Sequence, residues 1–178
     1  MLITRPRDEA QGVARELAGR GIESAVEPLL DIVLRPAALR LDNVQAVLLT
    51  SANGARALAR ATDRRDVPVL AVGGATARAA KAEGFARVES ADGTVATLSD
   101  AARAKLNPVG DPLLHVSGAA VAGDLAGDLT RAGFAVERLV LYDAVAAAAL
   151  SVETADGLRQ GEFDAVLLFS PRTATTFV

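Results

Sequence analysis

Short apolar runs in this sequence end repeatedly in hydroxyl residues and glycines. Thr4 and Arg5 follow "MLI". Ser51 and Asn53 follow "AVLLT". Gly74 and Thr76 follow "PVLAV". Ser117 and Gly118 follow "PLLHV". Ser170 and Arg172 follow "AVLLF". Where such residues open helices they present free backbone N–H groups, which bind carboxylates or phosphates. Arg5 and Arg172 add two guanidinium groups for an anionic ligand. The implied chemistry is recognition and positioning of an anion, not attack by a strong nucleophile. Simpler readings stand beside these. Ser51, Thr76 and Ser170 suit helix N-caps, and Arg5 and Arg172 suit an ordinary surface. Tyr142 is the sole tyrosine and closes an apolar run. Its hydroxyl either donates a proton in a ligand site or lies at the surface of a packed strand. His115, the sole histidine, sits within an apolar run and reads as a core histidine with satisfied nitrogens. "VGGATA" lacks the G-x-G-x-x-G spacing of a dinucleotide loop.

Composition removes several classes of function. The 178 residues include no cysteine, which excludes a disulfide scaffold, a thiol nucleophile and a Cys-type zinc site. A single histidine argues against a His-rich metal site or a Ser-His-Asp triad. Lys and Arg number 19 against 22 Asp and Glu, a net charge of −3, so no nucleic-acid partner is expected. No apolar run approaches the roughly 20 residues of a membrane span, and "MLITRPRDEA" lacks the apolar core of a signal peptide. A cytoplasmic, monomeric protein with no membrane partner is expected. Hydrophobic residues make up 51% but aromatics only 3%, so Ala, Val and Leu must fill the core.

The elements that position these residues follow from periodicity. Strands are expected at "MLIT", "IESAVEPLL", "QAVLLT", "PVLAVG", "ARVES", "PLLHVSG", "FAVERLVLYDAV" and "FDAVLLFS". Helices are expected at "RDEAQGVARELAGRG", "ANGARALARA", "GATARAAKAEG", "GTVATLSDAARAKL", "AAVAGDLAGDLTRAG" and from "PRTATTFV", with Gly21, Gly84 and Gly133 as stops. This alternation predicts parallel sheets covered by helices, and continuous runs such as "AVLLT" predict strands buried on both faces.

Two internal matches fix the organisation. "AVLLTSANGA" (46–55) and "AVLLFSPRTA" (165–174) agree at six of ten positions with an offset of 119. "LAGRGIESAVEPLLDIV" (17–33) and "LTRAGFAVERLVLYDAV" (129–145) share Leu, Gly, Asp and Val at an offset of 112. Two ordered matches imply two similar α/β lobes. Lobe A is expected to be split, 1–30 plus 160–178. Lobe B is expected to run continuously over 38–141. Residues 31–37 and 142–159 read as hinge or linkers, with the two exit strands forming an antiparallel pair. A cleft between lobes is the expected ligand position. Repeat logic also predicts that lobe A continues past Val178 by roughly 48 residues, the distance from Leu58 to Leu106.

These pieces, taken in order, resemble the uroporphyrinogen-III synthase family. The resemblance rests on "TRP" at 4–6, "TSANGARAL", "AVGGATARAAKAEG", the run ending "LVLY" at Tyr142, and "FDAVLLFSPRTA". It departs in one place, with "TSAN" where many relatives have "TSxxAV". The resemblance implies two flavodoxin-like lobes joined by a two-stranded hinge. It implies cofactor-free cyclisation of the linear tetrapyrrole hydroxymethylbilane, with ring D inversion and loss of water. It also implies roles: Tyr142 matches the family's tyrosine before the hinge and assists water departure. Thr76 matches the G-x-x-T-A threonine, a second catalytic candidate. Ser51 and Ser170 match the family's "TS" and "SP" serines. Arg5, Ser51, Asn53, Gly74, Ser117, Gly118, Ser170 and Arg172 form the expected substrate-binding set.

Other classes remain open on residues alone. A non-catalytic two-lobed protein that binds an anion or a tetrapyrrole shares every feature above. A receiver-type signalling domain would want acids at the strand ends, where this chain has Ser, Thr and Gly.

Overall fold

The computed structural model describes residues 1–121 and 123–178, and of Asp8 the backbone alone. In chain order the elements are β1 (Leu2–Ile3), α1 (Arg7–Ala18), β2 (Ala25–Val26), β3 (Leu30–Leu34), β4 (Ala46–Leu49), α2 (Ala52–Ala61), β5 (Val69–Ala71), α3 (Gly74–Ala82), β6 (Val88–Ser90), α4 (Val95–Lys105), β7 (Leu113–Gly118), α5 (Leu125–Arg131), β8 (Val136–Ala146), α6 (Val152–Gln160), β9 (Val166–Leu167) and α7 (Pro171–Phe177). The chain divides into two compact units, Met1–Val33 with Ala144–Val178, and Leu34–Asp143.

In the continuous unit the sheet runs β8-β7-β4-β5-β6, and these five strands are parallel. β3 lies against the outer edge of β8. The Arg35 N–H donates to the Leu141 carbonyl and the Ala147 N–H to the Leu29 carbonyl, so one strand's numbers rise as the other's fall, as in an antiparallel pair. Counted from β7, the five strands read 2-1-3-4-5 in space, the flavodoxin-like order in permuted chain sequence. The split unit has the parallel order β2-β1-β9, which reads 2-1-3 on the same count. The matched sequences therefore occupy matched places: β4 and β9 are both third strands, and β7 and β1 both first strands.

Burial explains the apolar runs. Every residue of β4, β5 and β7 is buried, as expected for strands covered on both faces. On one face Leu98 and Ala102 of α4 and Leu125 and Leu129 of α5 pack on Ala46, Leu48, Leu70 and Leu113. α2 and α3 lie together over the other face. Small residues let α2 approach closely: a Cβ on Gly54 would stand 3.3 Å from the Val116 carbonyl oxygen. Gly21, Gly84 and Gly133 all take positive φ, as expected of the residues that stop α1, α3 and α5.

Four expectations are corrected. The strand expected at "IESAVEPLL" is only β2, because Pro28 has no N–H for a ladder; β3 begins beyond it. The helix expected from Ala119 starts at Leu125. Gly123 turns at φ +80, and the Asp124 carboxylate caps the helix by accepting from the Gly127 N–H at 3.0 Å; Ala122, within the expected helix, lies outside the described residues. Thr76 is not an N-cap, since α3 starts after Gly73 and Thr76 is its third residue. Within 142–159, expected as an exit strand followed by linker, the stretch after the strand carries most of a helix, α6.

Candidate active site

The order of strands reverses between β7 and β4, the place where open α/β sheets bind ligands beyond their carboxyl ends. Ser51 follows β4. Its extended backbone ends the strand, and its Oγ accepts from the Gly54 N–H at 3.0 Å, capping α2. Ser117 and Gly118 end β7. Tyr142 comes from β8, one strand further out, yet its hydroxyl lies 2.7 Å from Ser51 Oγ. The ring therefore crosses the end of β7 to reach β4.

Two local features make that crossing possible. The β7–β8 register holds from Leu113↔Val136 to Ser117↔Val140, then slips so that Gly118 faces Tyr142. This bulge re-aims the side chain, a common device beside functional sites. Gly118 then supplies the notch under the ring. A Cβ there would stand 2.8 Å from Tyr142 Cε2 and 2.9 Å from Cζ. The tyrosine is 9% exposed. Its hydroxyl thus neither faces open solvent nor lacks a partner.

The hydroxyls form a hydrogen-bonded chain. The Gly54 N–H donates to Ser51 Oγ, and either Ser51 or Tyr142 donates to the other. When Ser51 donates, the tyrosine O–H is left free to point at a ligand. A phenolate formed there would accept from Ser51, and each bond in such a chain strengthens the next.

The remaining candidates of this unit sit nearby or apart. Asn53 Oδ1 accepts from Arg56 Nη1 at 2.9 Å. Gly74 opens α3, and the Arg78 guanidinium lies where a Gly74 Cβ would be 3.3 Å from it, which brings positive charge to a helix start that already favours anions. Thr76 is buried at 6% exposure, and no described hydrogen bond joins it to Tyr142. Ser117 Oγ accepts from Arg138 Nε at 3.0 Å. Arg78, on α3, and Arg138, on β8, carry no sequence signal beyond their type; only the fold reveals their partners.

His115 is 3% exposed, and neither ring nitrogen has a hydrogen-bond partner. This corrects the expectation of a satisfied histidine. Burial, with the Arg138 charge beside it, lowers its pKa to about 4, so the ring is neutral at pH 7.

In the split unit, Thr4 donates to the Leu167 carbonyl at 2.6 Å. Arg5 lies 4.4 Å above the Phe169 ring and 3.3 Å from Glu9. Ser170 caps α7, accepting from the Thr173 N–H at 3.0 Å, as Ser51 caps α2. Arg172 donates to the Ala144 carbonyl at 2.5 Å. Sequence reasoning missed Glu27 at the end of β2. Its carboxylate accepts from the Ser151 N–H at 2.9 Å, Ser151 Oγ at 2.7 Å and Thr154 Oγ1 at 2.8 Å, tying β2 to the start of α6. Desolvation opposes its charge, but these bonds and Arg7 outweigh it and hold the carboxyl below its ordinary value.

Among the described residues no helix is long and apolar enough to cross a membrane, and no His, Cys, Asp or Glu group could hold a metal. The fold and the site together define a class: a two-unit parallel α/β protein with hydroxyls, a buried tyrosine and helix starts at a topological switch point. Within that class, a family model described as uroporphyrinogen-III synthase HemD matches residues 11–178, and the chain belongs to that family. With membership comes the family's activity, a hydro-lyase-type cyclisation in tetrapyrrole biosynthesis. Among solved structures the chain is similar to uroporphyrinogen-III synthetase from Helicobacter pylori, at TM-score 0.62 and 15% identity, over 88% of this chain and 70% of that one. It is similar to a mutant uroporphyrinogen III synthase from Thermus thermophilus, at TM-score 0.56 and 16% identity, over 98% and 74%. At these identities the likeness carries the fold alone. No curated protein matches the chain significantly.

Proposed function

We propose that this protein cyclises hydroxymethylbilane to uroporphyrinogen III at the carboxyl edge of the β8-β7-β4-β5-β6 sheet, with Tyr142 as the general acid. The observation that carries this reading is the Tyr142 hydroxyl 2.7 Å from Ser51 Oγ at the switch point. Tyr142 donates its proton to the hydroxymethyl oxygen on ring A, and water leaves. The electrophilic carbon so formed is attacked by the substituted end of ring D, giving the spiro intermediate, which fragments and recloses with ring D inverted. The pyrrole carbon that closes the ring releases a proton as aromaticity returns, and this restores the phenol. One water is lost overall. In the interval Ser51 donates to the phenolate oxygen and is itself held by the Gly54 N–H.

The substrate closes unaided to the unrotated isomer, so catalysis must hold its ends as well as move a proton. Its carboxylates suit the N–H groups that open α2 beside Asn53 and α3 at Gly74, with Arg78 adding charge at the second. Thr76 follows Gly74 in the first turn of α3 and is the second catalytic candidate. Within the split unit, Arg5, Ser170 and Arg172 are the candidates for anion binding. The protein works as a cytoplasmic monomer without a cofactor and binds no nucleic acid; its net charge of −3 supports the last point. The test is Tyr142→Phe supplied with freshly generated hydroxymethylbilane. Type III formation should fall by about 10²-fold or more, the usual worth of a general acid. Full turnover to type III would remove Tyr142 from this role.

A further inference from the structure

The tyrosine's seat depends on a residue that touches neither its hydroxyl nor Ser51. Arg138 stands on β8 beside His115 in the β7–β8 register, four residues before Tyr142. Its Nε donates to Ser117 Oγ at 3.0 Å, and one terminal nitrogen donates to both the Gly118 and Ala119 carbonyls at 2.9 Å. These three acceptors belong to the bulged end of β7 and the residue that follows it. The register slips between Ser117 and Gly118, and the Ala119 N–H donates to the Tyr142 carbonyl at 3.1 Å. One guanidinium thus fastens the backbone on both sides of the notch that carries the ring.

We propose that Arg138 is a positioning residue for Tyr142: by holding the Ser117–Ala119 turn through three bonds, it maintains the bulge that sets the ring over Gly118 with its hydroxyl at Ser51. The alternative to the bulge is the regular register of the preceding residues, which would place Leu141 opposite Gly118. A one-residue slip sends a side chain to the other face of a sheet, so Tyr142 would leave Ser51 altogether. The planar fork of arginine suits a hydroxyl and two carbonyls at once; a lysine ammonium on a flexible stem does not fix them in the same way. The inference rests on the reading of Tyr142 as the acid for its effect on turnover, but its structural half stands apart from that reading.

The chain's composition makes that half measurable, because Tyr142 is the only tyrosine and there is no tryptophan. Emission excited at the red edge of the tyrosine band, where phenylalanine does not absorb, therefore reports on this ring alone. Acrylamide quenching and isomer-resolved turnover would be measured on the full chain and on Arg138→Gln, Arg138→Lys and Arg131→Gln. Arg131 is an exposed arginine paired on its own helix, and serves as the control. Arg138→Gln should quench severalfold more strongly, with kcat down about tenfold or more, KM little changed and a larger share of type I product. Arg138→Lys should lie between it and the parent. Arg131→Gln should match the parent. A folded Arg138→Gln with parental quenching and parental isomer ratio would overturn the proposal. If Arg138→Gln does not fold, parental quenching in Arg138→Lys would overturn it equally. A parent that makes no type III product would defeat the functional reading while leaving the quenching comparison to judge the seat.

Discussion

Adding one methyl group at Gly118 tests the geometry of the site with little other disturbance. Gly118 does not take a positive φ, so alanine meets no backbone strain there. The new Cβ would lie 2.8 Å from Tyr142 Cε2, 2.9 Å from Cζ and 3.2 Å from the hydroxyl oxygen. Real carbon contacts need about 3.5–4.0 Å, so the ring must give by most of an ångström. It is held at one end by Ser51 and at the other by the Ala119–Tyr142 backbone bond. If the ring stays, overpacking costs about 1–3 kcal/mol. If it swings out, it forfeits a hydrogen bond of about 1 kcal/mol and burial of about 2 kcal/mol. Either way Gly118→Ala should lower unfolding free energy by about 1–3 kcal/mol, read by urea denaturation. Turnover should suffer more, because a displaced acid forfeits a factor of about 10²–10⁴. In a Tyr142→Phe background the same alanine should cost little further activity, since both changes remove one function. Gly118→Ala with parental stability and parental type III formation would refute the reasoning.

Other outcomes follow from the same contacts. Ser51→Ala removes both the α2 cap and the tyrosine's partner; stability should drop by about 1 kcal/mol, and type III formation should slow. Ser170→Ala, which removes the matching cap of α7, should also cost about 1 kcal/mol. His115 is neutral in the fold with a pKa of about 4 against 6.5 unfolded. The unfolded chain therefore takes up a proton that the fold refuses, and as pH falls from 6.5 to 4 stability should decline by about 3 kcal/mol. His115→Leu should abolish that decline and raise stability at pH 7 by about 1 kcal/mol, because two unpartnered nitrogens leave the core. Glu27 has the opposite chemistry, a carboxyl held below its ordinary value. Its contribution is complete above pH 4.5 and is lost as pH falls below that. Glu27→Ala should cost about 2 kcal/mol at pH 7 by leaving Ser151 and Thr154 short of partners, and should loosen α6 in hydrogen exchange.

Much of the architecture was legible in the sequence because its signals are local. The first "AVLL" run announced a buried parallel strand, β4, whereas the second forms β9, also parallel but only half-buried; the two internal matches announced a repeated unit whose strands take equivalent places. Ser51 and Ser170 were recognisable as strand-end serines because both copies carry them. The misses share a cause: each depends on residues far apart in sequence. The bulge that re-aims Tyr142 is a property of β7 and β8 together, so no local signal in the sequence announced that Gly118 is the notch under its ring. Glu27 meets Ser151 across 124 residues, and no periodicity announces that pair. Thr76 looked like a cap because threonine favours that position; the preceding glycines, free to extend, started α3 earlier.

The most direct measurement is the isomer ratio. The full chain and its Tyr142→Phe variant would be given freshly generated hydroxymethylbilane, and the oxidised products separated into types I and III. Type III is expected from the parent, and from the variant a slow reaction in which type I prevails. Type I alone from the parent, at the uncatalysed rate, would contradict the assignment of this chemistry to the Tyr142 site.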